Sequence, residues 1–379
     1  MRSRIRLILL RVVGALLRRL TGRPAGAQRR ILVIKPDHLG DVLLLTPALR
    51  LLRQRLPDAR IVLLIGPWSR AAVAHNADVD TILTCPFPGF TRAPQPRLSE
   101  PYRLLLKQAW LIRAGRFDAA LIARDDHWWG ALLTALAGIP RRVGYAVPEV
   151  APFLSDALPH SFDDHVTAQS LALVQQLTGE PIPAPPAMVA PIGAADHAWA
   201  AQWLAQRQLD AQTLVAIHPG AGGAAKLWLP ARWAALADAL ASRGCTIVLT
   251  GGEAERVLVT DIRARMTHAP ITMVGEATLG QLAALYQRCA LVLGVDSGPL
   301  HLAASTGVPT VALFGPGDHR RFGPWGDPAR HVVIRSGLWC SPCGVMEACP
   351  RGTAPSECMS RITLAPVLDA ATNLLATRA

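Results

Sequence analysis

The sequence predicts an α/β chain made of two parallel-sheet halves. Three observations predict it. Short apolar runs alternate with longer helix-like stretches along most of the chain, the pattern of βαβ units. The stretch GEPIPAPPAMVAPIGAAD (179–196), with five prolines, interrupts that alternation as a stiff, extended linker would. Polar or glycine-rich residues follow the apolar runs at 35–41, 218–226, 250–255 and 294–301, where the carboxyl ends of parallel strands hold ligands.

The elements follow in order. The opening segment, MRSRIRLILLRVVGALLRRLTGRPAGAQRR, is apolar on one side and carries Arg2, Arg4, Arg6, Arg11, Arg18 and Arg19. Its uncharged runs fall far short of the roughly 20 residues that span a bilayer. Arg11 interrupts the apolar core, and no small-residue cleavage site follows, which argues against a signal peptide. Residues 1–28 fit a basic amphipathic leader lying in an anionic membrane interface, or else a poorly ordered basic leader. Strands are expected at 30–35, 60–66, 80–84, 117–124 and 141–145, with helices at 40–55, 100–115, 127–138 and 164–178. The proline-rich segment 84–101 reads as a long loop. The second half repeats the pattern with strand-like runs at 213–220, 245–252, 271–275, 289–298 and 309–317. A helix at 229–244 has Pro230 at its start and Gly244 after its end, as helix termini favour. A further helix spans 253–267, others lie between the later strands, and the last covers 363–379. No short-period repeat is present.

Composition bounds the function. With 379 residues, 51% hydrophobic and 17% charged, the chain supports two packed domains and excludes wholesale disorder. A formal charge of +12, mostly arginine, points to a polyanionic partner: phosphorylated substrate, anionic membrane or nucleic acid. A high-GC genome gives the same arginine bias, which weakens that inference. Three Tyr and seven Phe offer little base-stacking platform, and Trp128, Trp129, Trp228 and Trp233 read as core or cleft residues. Nucleic acid is therefore not expected as a partner. No G-x-G-x-x-G follows the first strand, so a Rossmann dehydrogenase is not indicated. Cys85, Cys245 and Cys289 sit in apolar settings as reduced core thiols, and the compartment reads as cytosolic.

Four stretches carry chemistry. PDHLGDVLLLTPAL (36–49) places Asp37, His38 and Asp41 at a strand-to-helix turn beside Lys35 and Gly40. HPGAGGAAK (218–226) exposes backbone amides around Gly222 and Gly223 with Lys226 behind them, either a phosphate-binding turn or a flexible loop with a solvated lysine. It is not a Walker loop. TGGEAE (250–255) offers Glu253 or Glu255, either to ribose hydroxyls or as plain helix N-terminal acids. GVDSGPLHLAASTGVP (294–309) sets Asp296 after a strand, Ser297 and Gly298 at the start of a helix opened by Pro299, and His301 one turn in. Asp296 reads equally as a site acid or a capping acid. FGPGD (314–318) adds backbone amides after the next strand.

Taken in order from Ile31 to the C-terminal helix, these stretches resemble glycosyltransferase family nine, the ADP-heptose:lipopolysaccharide heptosyltransferases. The resemblance rests on IKPDHLGDVLLLTPAL, HPGAGGAAKLWLP with RWAALADAL, LTGGEAE, and above all GVDSGPLHLAASTGVPTVALFGP. It implies a GT-B fold: two Rossmann-like domains facing a central cleft, here preceded by the basic amphipathic helix. The implied division is a leader (1–28), an acceptor-binding domain (29–180), the linker (181–195), a nucleotide-sugar domain with the cysteine cluster (196–361) and a final helix (362–379) packing back on the first domain. The implied reaction is inverting and metal-independent, with no cofactor. Its donor is ADP-heptose or a related nucleotide sugar, and its acceptor is lipid-linked or a lipopolysaccharide core at the inner face of the cytoplasmic membrane.

In that scheme Asp41 is the general base, Lys226 contacts phosphate, Glu253 binds ribose, and Asp296 contacts the donor, with Ser297, Gly298 and His301 beside it. Lys35, Asp37, His38 and Gly40 fall on the acceptor side. His38 stands where relatives often carry a small residue, and acts either as a second acid–base group or on the Asp41 carboxyl. Leu227 replaces a frequently basic position, removing one expected phosphate contact. A nucleotide-sugar 2-epimerase shares the fold and remains the alternative enzyme; a non-catalytic nucleic-acid-binding protein is the alternative from another class. Cys340, Cys343, Cys349 and Cys358, spaced C-x2-C-x5-C-x8-C, read as reduced thiols, a disulfide formed after purification, or a metal site built on the C-x2-C pair.

Overall fold

The computed structural model describes residues 2–20, 29–91, 97, 99–182 and 184–377; in the first helix it describes side chains for 7–17. The end of the leader (21–28), much of the expected loop (92–96 and 98) and Pro183 of the linker lie outside the described residues. So do the side chains of Arg2, Arg4, Arg6, Arg18 and Arg19.

The chain forms two units, Met1–Arg70 with Asn76–Pro186, and Ala71–His75 with Ala187–Ala379. The first contains α1 (Arg2–Leu20), β1 (Arg30–Lys35), α2 (Leu39–Arg55), β2 (Arg60–Ile65), β3 (Thr81–Thr84), α3 (Glu100–Ala114), β4 (Ala119–Ile122), α4 (Trp128–Leu136), β5 (Arg141–Tyr145), β6 (Asp156–Leu158) and α5 (Val166–Thr178). Among the described residues its strands form one six-stranded sheet in the order β3-β2-β1-β4-β5-β6, every pair parallel. The order reverses between β1 and β4, the switch point where such sheets bind ligands.

Parallel sheets must be covered on both faces, and the residues show how. Leu32, Ile34, Val62, Leu64, Ala120 and Ile122, alternate residues on one face, share a core with Leu105, Ala109 and Ile112 of α3 and Trp129, Ala131, Leu132 and Leu133 of α4. Val33 and Leu121, on the other face, meet Leu45 and Leu49 of α2 and Leu173 of α5. The leader helix belongs to the first layer: Leu10 and Leu17 pack on that core. Gly14 is buried against Pro152, so closely that any Cβ would strike the Pro152 carbonyl. No helix among the described residues is long and apolar enough to cross a membrane. α5 stops at Gly179, whose φ of 75° is open to glycine and whose N–H donates to the Gln175 carbonyl at 2.8 Å.

The second unit contains α6 (Ala194–Ala205), β7 (Thr213–His218), α7 (Pro230–Ala241), β8 (Cys245–Gly251), α8 (Arg256–Arg265), β9 (Ile271–Val274), α9 (Leu279–Arg288), β10 (Leu291–Val295), α10 (Gly298–Ser305), β11 (Thr310–Leu313), α11 (His319–Phe322), β12 (His331–Ile334), α12 (Glu357–Ser360) and α13 (Leu364–Ala376). Its parallel sheet runs β12-β11-β10-β7-β8-β9, the same winding, with the switch point between β7 and β10. Trp228 and Trp233 are buried edge to face with centroids 4.9 Å apart, and Trp228 donates to the Ile362 carbonyl at 2.9 Å.

Two expectations change here. The final helix, expected to pack back on the first domain, is part of the second unit: α13 packs on α7 and β10–β12, and its Val367, Ala371 and Leu374 complete the core around Trp228 and Trp233. Its apolar stripe fits the sheet face that α7 leaves uncovered. The linker also ends sooner, because α6 starts at Ala194 and the units divide after Pro186. β6, α6 and β12 add elements that the apolar pattern did not single out.

Replacing Trp233 by Ala removes a fully buried ring from the Trp228–α13 core. The unfolding transition of the second unit should lose about 3–5 kcal/mol, read from denaturant midpoints.

Candidate active site

In the first unit the site begins where β1 runs into α2. The Asp37 carboxylate is 3% exposed. It lies 3.1 Å from Lys35 Nζ and pairs with the Arg124 guanidinium, which leaves the end of β4. Burial works against the charge, but the Lys35 and Arg124 cations and their hydrogen bonds outweigh it and hold the carboxyl below its usual range. Lys35 also donates to the Ala123 carbonyl at 3.0 Å. Trp68 Nε1 and Ser69 Oγ donate to the Asp37 carbonyl at 3.0 and 2.8 Å, fixing the turn from the β2 side. His38 caps α2 with extended backbone, its ring 5.7 Å from that of Trp68.

Asp37 and Lys35, expected on the acceptor side, are therefore buried as each other's partners. Gly40 is buried, and Asp41 sits half-buried in the first turn of α2, where the helix dipole favours a carboxylate.

Two histidines escaped the sequence reading. His127, after β4, is buried among Phe87, Phe90 and Trp129, and neither ring nitrogen has a hydrogen-bond partner among the described residues. Burial, with help from Arg124 and Lys35 and against Asp37, pushes its pKa down to about 3. His160 Nε2 lies 2.7 Å from Asp125 Oδ2, beside the rings of Tyr145 and Phe162. No sequence pattern links Asp125 to His160; only the adjacency of β4, β5 and β6 brings them together.

In the second unit the same winding gathers the predicted residues. Lys226 Nζ reaches across the switch point to Asp296, 2.8 Å from Oδ2 and 3.2 Å from the carbonyl. Asp296 is buried, and a Cβ on Gly317 would strike its carboxylate, so FGPGD closes on it from β11. Ser297 starts α10 with its Oγ buried and without a partner among the described residues. The amides that open α10 at Gly298 lie beside it, and His301 is buried one turn along. Gly222 and Gly223 lie in the turn before Lys226. Gly223 packs against the Met346 carbonyl, which also accepts the Ala225 N–H at 3.0 Å.

The two acids of TGGEAE separate. Glu253 is 72% exposed and forks onto Arg256, whose hydrogen bonds hold its carboxyl below the usual range. Glu255 is 22% exposed, lies 3.5 Å from His218 Nε2 and receives the Gly252 N–H at 2.5 Å. Burial opposes its charge, yet His218 and Gly252 prevail and keep it ionised below the usual range. His218 is held in turn by Thr250 Oγ1 at 3.0 Å, which meets the Tyr286 hydroxyl at 2.9 Å. Glu255 leans over the end of β7, where a Cβ on Gly220 would meet its carboxylate. Glu255 and His218 thus occupy the edge to which Glu253 was assigned.

Cys340, Cys343, Cys349 and Cys358 line one cavity of about 240 Å³ with Trp339 and Val345. All seven cysteines are free thiols, and among the described residues no three His, Cys, Asp or Glu side chains are grouped to hold a metal. A larger cavity of about 630 Å³ opens at the opposite, amino-terminal ends of β7 and β8, away from this chemistry.

The model of glycosyltransferase family 9 (heptosyltransferase) matches residues 105–352. The chain belongs to that family. It is 26% identical over 298 residues to lipopolysaccharide heptosyltransferase 3 of Escherichia coli, covering 76% of this chain and 83% of that one. A family 9 glycosyl transferase from Veillonella parvula superposes with a TM-score of 0.79 at 24% identity, over 94% of this chain and 100% of that one. The Escherichia coli heptosyltransferase WaaC with ADP-2-deoxy-2-fluoro heptose gives 0.66 at 20% identity, over 92% and 100%. The family membership makes the chain a glycosyltransferase, and these likenesses place both units in the GT-B fold.

The buried His127 has a consequence for stability. Between about pH 6.5 and 3 the unfolded chain takes up a proton that the folded ring refuses, so the folded state weakens as pH falls through that window. His127→Phe should gain on the wild type by about 1 kcal/mol for each unit from pH 6 to pH 4, read from urea midpoints. Asp37 enters only below that range.

Proposed function

We propose that the chain transfers a heptose from ADP-heptose to a lipopolysaccharide-core or similar lipid-linked acceptor, inverting the anomeric centre without a metal or other cofactor. One observation carries the reading: Lys226, Asp296, the unpartnered Ser297 Oγ and the first amides of α10 meet at the switch point of the second sheet. A cation and a helix N-terminus on one crevice suit a diphosphate. The donor-analogue complex of the WaaC neighbour supports the nucleotide sugar, and the heptosyltransferase relatives support the acceptor class.

In this reading Asp41 removes the proton from the acceptor hydroxyl as that oxygen bonds to the anomeric carbon. The bond from that carbon to the diphosphate oxygen breaks, and ADP leaves with the electron pair. Lys226 and the α10 amides stabilise the charge that gathers on the leaving diphosphate. Asp37, neutralised by Lys35 and Arg124, keeps the β1–α2 turn in place and leaves the base role to Asp41. We assign the ribose hydroxyls to Glu255, oriented by His218 and Gly252, in preference to Glu253. The enzyme works on the cytoplasmic face of the inner membrane, held there by the basic leader helix.

Asp41→Ala should abolish heptose transfer to a heptose-less core acceptor while ADP binding by calorimetry stays within about twofold of wild type. Retained turnover would remove Asp41 from the base role. Glu255→Gln should weaken ADP binding about tenfold, the scale of a lost charge-assisted hydrogen bond, whereas Glu253→Gln leaves it nearly unchanged. The reverse ranking would return the ribose to Glu253.

A further inference from the structure

The outer surface of the first unit carries apolar side chains where an ordinary surface helix is polar. In α3 the buried stripe is Leu105, Ala109 and Ile112, which packs on the sheet beside α4. The opposite stripe is Tyr102, Leu106 and Trp110, spaced four apart, with Leu111 beside it; Leu106 is 63% and Trp110 73% exposed. In α1 the packed positions are Leu10, Gly14 and Leu17, and Ile8, Leu9, Val12, Val13 and Leu16 face outward. Of the fourteen large hydrophobic side chains exposed among the described residues, nine lie on these two helices. Such clustering marks a binding face, since scattered exposed residues would not gather so.

The two helices belong together. Both pack against α4 in one layer on one face of the sheet. Their charges share one sign. The sequence of α1 holds six arginines and no acid, that of α4 has no charged residue, and α3 sets Arg103, Lys107 and Arg113 against Glu100 alone. Arg11, Arg103, Lys107 and Arg113 are exposed beside the apolar stripes. Aliphatic and aromatic residues flanked by cations, a Tyr and a Trp among them, match the acyl–headgroup boundary of an anionic bilayer.

We infer that α3 is a second membrane-contacting helix, which with α1 forms a two-helix face that lies on an anionic phospholipid surface. The inference rests on the proposed action at the membrane and deepens it. One interfacial helix gives only a weak, reversible hold; two on a rigid layer bind jointly and fix how the unit sits on the bilayer.

The test is co-sedimentation of the full chain with vesicles of equal phosphatidylglycerol and phosphatidylcholine, against pure phosphatidylcholine. The wild type should pellet with the anionic vesicles and only weakly with the neutral ones. Leu106→Gln with Trp110→Gln should lower partitioning about tenfold or more, as should Ile8→Gln with Val12→Gln and Leu16→Gln, with ADP binding unchanged in both. Brominated acyl chains should quench wild-type tryptophan fluorescence, and Trp110→Phe should relieve the quenching. If the α3 variant pellets like wild type while the α1 variant is released, the α3 inference falls and attachment through the leader stands. If the wild type stays in solution with every vesicle, both fall. Self-association abolished by the α3 substitutions, without vesicle binding, would give the face to a second copy of the chain and overturn the proposal.

Discussion

Each unit depends on how its chain crosses the point where strand order reverses. At that point two loops leave adjacent strands in opposite directions, and a crevice opens between them. In the first unit the Asp37–Arg124 pair ties the loop after β1 to the loop after β4. In the second, Lys226 and Asp296 tie the loop after β7 to the loop after β10. Both sheets are covered on their two faces, so unpaired polar groups collect at the strand ends. The ion pairs hold the two loops of each crevice together and occupy the carboxylates of Asp37 and Asp296.

The first pair shows why this matters for chemistry. Two acids, Asp37 and Asp41, lie four residues apart, yet their surroundings differ. Asp37 is sealed from water and saturated with cations, which suits it to holding a turn. Asp41 stands on a helix turn with partial access to solvent. The difference between them comes from burial, because the side chains are chemically identical.

Most of the architecture was legible in the sequence. β7, β8 and β10 announce themselves through apolar runs that stop at His218, Gly251 and Asp296. β6 and β12 did not, because neither is buried deeply enough to need an apolar signature. Motif order singled out Lys226, Asp296 and Ser297 in the sequence, and the fold brings Lys226 against Asp296 with Ser297 next in the chain. That Glu255 is held against His218 and Gly220 while Glu253 stays exposed was not legible, because those partners reach it from another strand. The same holds for Asp125 with His160, and for the final helix, whose apolar stripe fits more than one host surface. Sequence pattern reports periodicity along the chain; contacts across the sheet are visible only after folding.

The backbone contact between Met346 and the Gly223–Ala225 turn reaches beyond the fold. The cysteine-bearing loop contains no nucleotide motif, yet it forms the back wall of the turn that carries Lys226. Its residues therefore bear on the shape of the Lys226 turn from outside the glycine-rich motif. In a genetic screen, changes near Met346 will be scored together with changes in the glycine-rich motif, and a map of such variants will trace the wall as well as the pocket.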